Sequence, residues 1–449
     1  MKRFFLFSLL ISSSFALAQK QWTLQECVNY ALENNLQVKR SDFTKKNQDL
    51  NLNIAKREYL PSVSGNISNN VSFGQGQDVF GNIRRNDNFN NNINVGANVL
   101  LFNYGRLEKQ IRKTAFDVEA SQFDTETTKN DISLQIAQQY LSVLLNKEII
   151  KISESSLNNA QKVYDRAKIT TDVGTTAQTV LAEAQAALAR EKQNVNTAQI
   201  NAKRSLFSLS QLLQLPDYKN FNVVNVSVND KLDAPLYSAE SILEKASTDQ
   251  PEIKAAQSRI SSATAQTEVT KTAFWPTISA SAGIGSFYYN SLVTNRIGID
   301  ANGNPLYEKN IFNQYSNNFG QQLGLSANIP IFNKGITKLQ VEQSKINEDI
   351  AKNNLEQQKQ NVKQNVQKAQ FDAESNYESY LAAKESEKSS ALALDFAEKS
   401  YNAGKTTIYD MSVARNNLAN AQGSVAQAKY NYLFSLKLLN FYAGIPLSL

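Results

Sequence analysis

Histidine is missing from the 449-residue chain and cysteine occurs once, at Cys27, so the groups left to do chemistry are carboxylates, amines, phenols and hydroxyls. Without imidazole the commonest general base and the commonest transition-metal ligand are both gone. Carboxylates can work as acid and base by themselves, but no two acids stand together on an otherwise apolar stretch. No glycine loop suited to phosphate is present, and no Gly-x-Ser-x-Gly. The pattern reads as no enzyme, with no catalytic residue, metal ligand or cofactor. Cys27 has no partner for an intrachain disulfide, and Leu24, Gln25 and Glu26 before it are not the small residues expected ahead of a lipidated cysteine. Its place among apolar positions of a helix-like stretch reads as a buried thiol.

The 47 basic and 41 acidic residues give a formal charge of +6, two units less without Lys2 and Arg3, which is no nucleic-acid footprint. Those two cations precede the apolar run Phe4 to Ile11 and a serine-rich stretch ending Ala16-Leu17-Ala18. Residues 1–18 read as a cleaved export signal, because an anchor helix would need a longer apolar run. No later stretch approaches a membrane helix. An exported chain of this kind is either soluble or a β-barrel.

The elements that must position the remaining groups are written twice. Residues 97–105 read ANVLLFNYG and residues 327–335 read ANIPIFNKG. Gly174 and Gly404 keep the same spacing of about 230 residues, as do Pro216 and Pro446, while Pro61 and Pro276 are about 215 apart. One insertion of about 15 residues, between Pro276 and Pro330, reconciles the two offsets. The chain is a duplicated unit of about two hundred residues, far longer than a solenoid repeat.

Each copy contains two alternating runs. Ser62, Ser64, Asn66, Ser68 and Asn70 interleave with Val63, Ile67 and Val71; Asn88, Asn90, Asn92 and Asn94 interleave with Phe89, Ile93 and Val95. The second copy repeats this from Thr277 to Ile284 and from Asn318 to Ile329. A period of two means extended strands with one wet and one apolar face. Soluble hairpins would alternate too. The length, about 35–43 Å, and a polar face of Ser, Asn and Gly favour a membrane barrel. Four strands cannot close around a lumen, so such a barrel has to be shared between chains. The Gly/Asn-rich stretches 78–87 and 289–317 read as loops between paired strands.

Between Gly105 and Gly174, and between Gly335 and Gly404, there is neither glycine nor proline, which predicts two helices of about 100 Å each. Ile336, Leu339, Ile346, Ile350, Leu355, Val362 and Val366 mark a narrow apolar seam on the second. A hollow coiled-coil cylinder, wet inside and out, would look like this, and so would an ordinary solvated coiled coil. Shorter helices are expected at 26–59, 175–214, 239–274 and 405–442.

In order and doubled, YLPSVSG and FWPTISA before the strands, LLFNYG and IPIFNKG after them, DVGTT and NAGKTT between the helices, and QLLQLP and FYAGIP at the ends resemble the TolC-type outer membrane efflux proteins over nearly the whole mature chain. The resemblance implies a mixed α and β membrane protein. Each chain would contribute four transmembrane strands to a shared trimeric 12-stranded barrel, continued by long helices forming a periplasmic tunnel. It implies this division: signal peptide 1–18; helical segment 19–59; first hairpin 60–102; long helix, tip turn and return helix 103–215; equatorial linker 216–237; helical segment 238–274; second hairpin 275–332; and 333–449 for the second long helix, tip turn, return helix and C-terminal segment.

The implied partners are two further copies, outer membrane lipid, a periplasmic adaptor and an inner membrane transporter, with no nucleic acid. The implied role is passive conduction from that transporter to the exterior. Gly174, Thr175, Gly404 and Lys405 would form the tips that meet the adaptor. Tyr401, Thr406 and Asp410 would stand at the periplasmic entrance. The family has an arginine where this chain has Thr406 and a second aspartate where it has Val413, so the closing chemistry is half present. Asp410 would form a ring of three carboxylates that draws cations to the mouth; the residue pattern by itself, without the resemblance, reads as a solvated helix carboxylate. The competing class is an exported coiled-coil structural protein with a β anchor.

Overall fold

The structure is a computed structural model describing residues 21–77, 81–225, 232–235, 239–293, 298–299, 301–303, 305–306 and 310–445, and every structural statement below concerns these residues. The export signal expected at 1–18 and the landmark Pro446 lie outside them. In chain order the elements are β1 (Gln21–Trp22), α1 (Leu24–Asn34), α2 (Leu36–Arg57), β2 (Ser62–Ser72), β3 (Gln75–Gln77), β4 (Ile83–Arg85), β5 (Asn88–Phe102), α3 (Arg106–Asp172) and α4 (Gln178–Leu212). The second copy follows with β6 (Asn222–Val223), α5 (Ala239–Asp249), α6 (Pro251–Lys271), β7 (Thr277–Ser291), β8 (Gly298–Ile299), β9 (Pro305–Leu306), α7 (Ile311–Asn317), β10 (Gly320–Asn328), α8 (Ile336–Asn402) and α9 (Ile408–Tyr442). Two compact units result, one of residues 45–121 and 256–354, the other holding the rest of the chain. No helix is long and apolar enough to cross a membrane.

The first unit contains a four-stranded antiparallel sheet in the order β10, β7, β5, β2. Its register aligns like faces. Ser64 pairs with Gly96 and Gly96 with Gly283; Asn66 pairs with Asn94 and Asn94 with Gly285; Gln322 pairs with Gly283. On the other face Ile67 pairs with Ile93, Val95 with Ile284 and Leu323 with Ala282. Directly opposed residues share a face, so the alternation of each strand becomes one polar and one apolar face of the whole sheet. β2 and β10 are the edges, and neither has a strand partner on its outer side.

Two expectations about this sheet need correction. The third strand does not stop near Ile284 but runs to Ser291, because Phe287, Tyr288 and Tyr289 are strong strand formers whose consecutive rings hide the period of two. This puts Phe287 and Tyr289 on the polar face beside Asn92 and Asn90. The fourth strand starts at Gly320, not Asn318, and the stretch read as a loop contains α7, capped by the Asn310 side chain on Phe312 N and Asn313 N.

At the other end, the repeated Phe-Asn-x-Gly turns carry two consecutive left-handed residues each, Tyr104 (φ 54°) with Gly105 (φ 70°) and Lys334 (φ 60°) with Gly335 (φ 77°). Tyr104 stacks on Trp275 at 4.1 Å, which offsets the strain of a left-handed non-glycine residue. Pro330 accounts for the one asymmetry. Proline has no N–H for a ladder, and pairing of β10 ends at Asn328 against Thr277, whereas β5 continues to Phe102 through a bulge after Leu100.

The second unit is helical, and its two main cores occupy equivalent places in the two copies. Ala31, Val38, Ile132, Ile136 and Leu209 of the first core correspond through the repeat to Ala246, Ile253, Val362, Val366 and Leu439 of the second. Cys27 stands where the second copy has Ile242, fully buried, as the small apolar residue the sequence suggested. The α8 seam divides: Val362 and Val366 are buried, while Ile336, Leu339, Ile346 and Ile350 are exposed. A second exposed stripe at coiled-coil spacing, Leu36, Phe43, Leu50 and Ile54, runs along α2.

Candidate functional site: the helix tips and the open sheet

Both tip turns are Schellman motifs, in which a left-handed residue lets the chain leave the helix while two amides close on the last carbonyls. Gly174 N donates to Thr171 O at 2.9 Å and Thr175 N to Thr170 O at 2.9 Å; Gly404 N donates to Tyr401 O at 3.0 Å and Lys405 N to Ser400 O at 2.9 Å. Gly174 has φ 77° and Gly404 φ 70°, and a Cβ at either position would meet nothing within 4 Å. The requirement for glycine is therefore conformational. Replacing either by valine forces a β-branched residue into the left-handed region at about 1–2 kcal/mol. Gly174→Val and Gly404→Val are expected to speed amide exchange through each turn while leaving the unfolding midpoint nearly unchanged. Wild-type exchange at both turns would refute this.

The return helices start differently. Thr407 caps α9 in a reciprocal box: its hydroxyl accepts from Asp410 N at 3.1 Å, while Asp410 Oδ2 accepts from Thr407 N at 3.1 Å and from Thr407 Oγ1 at 2.7 Å. In the first copy the equivalent residues are Ala177 and Val180, and α4 has no side-chain cap. The Thr407 hydroxyl and amide hold the Asp410 carboxyl below its ordinary range. Ionised Asp410 thus supports this helix start at neutral pH, and that support is lost as pH falls through its lowered value. Thr407→Ala is expected to cost about 1 kcal/mol of local helix stability, read as faster amide exchange at 408–411.

Tyr401 is half-buried against a small core of Ala167, Ala184, Ile408 and Met411, which draws α3, α4, α8 and α9 together. Thr406 and Lys405 are exposed, as is Thr175, whose hydroxyl donates to Thr170 O at 2.8 Å. Of the expected entrance residues, Tyr401 packs, Asp410 caps and Thr406 makes no side-chain contact that bears on either. Two polar links escaped the sequence reading. Arg166 Nη1 donates to Asn402 Oδ1 at 2.8 Å, joining α3 to α8, and Arg415 Nη2 pairs with Glu398 at 2.7 Å across the second turn. Beside Arg415 lies a cavity of about 140 Å³, also lined by Glu183, Arg190 and Glu191. No local pattern marks these pairs, because their members meet only when the two arms of the turn, or the two copies, come together.

A sheet with a lipid-compatible face, a polar face and two open edges, in a chain whose other elements are helices of up to 67 residues joined at glycine tips, defines an outer membrane protein of the channel type. The family model for outer membrane efflux proteins matches residues 27–214 and 242–444, and the chain belongs to that family. The outer membrane protein TolC of Escherichia coli (strain K12) is 26% identical over 317 residues, covering 69% of this chain but only 60% of TolC. The outer membrane efflux protein BepC of Brucella suis is 23% identical over 421 residues, covering 93% of this chain and 84% of BepC. The fold is that of the Campylobacter jejuni CmeC outer membrane channel (TM-score 0.74, 21% identity, 94% of this chain and 85% of CmeC) and of CusC (TM-score 0.74, 18% identity, 94% and 92%). The protein is thus one of the outer membrane, extending into the periplasm.

Proposed function

We propose that three copies of this chain close into one 12-stranded barrel with a helical tunnel, forming a passive outer membrane conduit for efflux or export. The observation that carries this reading is the open sheet. Its edge strands β2 and β10 leave backbone donors and acceptors without a ladder, and in a bilayer such edges have to be paired by another chain. The exposed helix stripes support it. α2 leads directly into edge strand β2 and α8 leaves edge strand β10, so pairing β2 of one copy with β10 of the next brings Leu50 and Ile54 of α2 toward Ile346 and Ile350 of α8. The polar face of Ser, Asn and Gly then lines water, and Phe287 and Tyr289 narrow the lumen near its outer end.

No energy source belongs to the conduit itself; an adaptor and an inner membrane transporter supply direction, meeting the tips around Gly174, Thr175, Gly404 and Lys405. Tyr401, Thr406 and Asp410 stand at the entrance, where the Asp410 cap presents ionised carboxylates to passing cations. Among the relatives, one at 22% identity over 92% of this chain is named a toxin and drug export protein, which is consistent with an export role here. Planar-bilayer recording of the purified oligomer is the test. Step conductances are expected, larger in a variant with Tyr401 and Asp410 replaced. Insertion without conductance in both proteins would replace the conduit by an exported structural protein with a β anchor.

A further inference from the structure

The apolar face of the sheet is interrupted by polar side chains toward its outer end. On β7 it is unbroken from Ile278 to Ile284; the same face then carries Ser286 and, on the neighbouring strands, Asn91 and Asn69, before Tyr288, Phe89 and Val71 resume it. From Ile278 to Ser286 the strand rises about 26 Å, or about 20 Å of height at the usual barrel tilt, so the interruption falls in the outer part of an apolar band of about 25 Å. The inner boundary is marked by the stacked pair Tyr104 and Trp275. The interruption lies toward the hairpin end, away from the turns into the long helices.

α7 occupies that place. β10 starts at Gly320 opposite Gly285, so the outer part of β7 has no strand on that side. The Gln314 amide takes over: Oε1 accepts from Tyr289 N at 2.9 Å and Nε2 donates to Tyr289 O at 3.0 Å, with Asn318 Nδ2 on Phe287 O at 2.7 Å. Gln314 is buried, so the helix is fastened to the sheet. On the apolar face, Ser286 Oγ donates to Tyr315 O at 2.7 Å and the Tyr315 hydroxyl donates to Asn91 Oδ1. Tyr315 therefore crosses β7 on the lipid side and covers the two polar side chains that interrupt it.

Ile311 and Phe312 precede Tyr315 by four and three residues, on the same helical face. Phe312 is 79% exposed, and Ile311 is exposed with it. Phe319 is exposed and shares the strand parity of Leu323 and Leu325, so the patch continues into the lipid-facing side of β10. Asn313 and Asn317 lie on the opposite face of the helix. α7 falls in the stretch that only the second copy has.

We propose that α7 is a membrane-interface anchor, whose Ile311, Phe312 and Tyr315 face lies at the outer boundary of the bilayer and contacts lipid acyl chains. It covers polar side chains that interrupt the apolar band of the strands. The test uses the assembled full-length protein in phosphatidylcholine vesicles, with Cys27→Ala and single nitroxide labels at Phe312→Cys, Asn317→Cys and, as a lipid-facing reference, Leu323→Cys. Power-saturation electron paramagnetic resonance reads the accessibility of each label to oxygen against a water-soluble nickel chelate. The expected result is an oxygen-to-nickel ratio at 312 that is several-fold above that at 317 and close to that at 323. A ratio at 312 equal to that at 317 would place the face in water, and a label shielded from both reagents would place it against another protein chain; either overturns the proposal. Ile311→Cys, on the same face, gives the same reading if the label at 312 impairs assembly.

Discussion

Arginine in place of Leu325 is expected to cut the yield of membrane-inserted oligomer severely, while arginine at the adjacent Ser326 is expected to leave insertion intact and change conduction instead. Leu325 pairs with Ala280 on the apolar face, and Ser326 with Ser279 on the polar one. A cation on the lipid side of a barrel costs about 2–4 kcal/mol near the midplane, and the proposed three-copy barrel would carry it three times. At Ser326 the guanidinium would reach lumen water at little solvation cost, so the fold survives, but three added cations lower the passage of other cations. Folding yield into vesicles, read by heat-modifiable migration, and reversal potentials in a salt gradient check the two halves. Equal insertion of both variants would show that these faces do not divide lipid from water.

Truncating the facing helix stripes should undo assembly more than folding. Leu50 is 60% and Ile350 53% exposed in the single chain, at the spacing of a coiled-coil seam. If neighbouring copies bury them, replacing both by alanine removes about 2–5 kcal/mol per fully buried residue at every interface of the ring. The double variant is expected to migrate largely as monomer after mild detergent extraction, with unchanged helix content by circular dichroism. An oligomer as heat-resistant as the wild type would mean that these stripes face water, and the α2 to α8 seam would have to be abandoned. Asp410 bears on a separate question, because its capping bonds to Thr407 explain its low pKa without any neighbour from another copy.

Much of this architecture was legible because it is written in short periods. Alternation between Ser62 and Val71 places each side chain on a face with no knowledge of the partner strand, and the glycine-free intervals between Gly105 and Gly174 and between Gly335 and Gly404 state helix length directly. The duplication helped again at the core, where Ile242 in the second copy explains Cys27 in the first. What failed to read locally did so for identifiable reasons. Three consecutive aromatics at Phe287 to Tyr289 erase the period on which a strand assignment depends, and the seven residues of α7 are too few for a helical period to declare itself. The seam on α8 reads as one stripe, yet its far half packs against α5, α6 and α9 while its near half is exposed among the described residues.

By itself, then, the sequence determined the two periods, the positions of the tip glycines and the duplication, since each follows from steric preferences within a few residues or from counting along the chain. Only the tertiary structure decided the strand register, the fastening of Gln314 to Tyr289, the link of Arg166 to Asn402 and the use of Asp410 as a cap. The first three depend on groups far apart in sequence being brought within 3 Å or so, and no local preference encodes that distance. The cap is local in sequence, but a carboxylate at that spacing can turn to solvent or back to Thr407, and the structure shows it turned back to the Thr407 amide and hydroxyl.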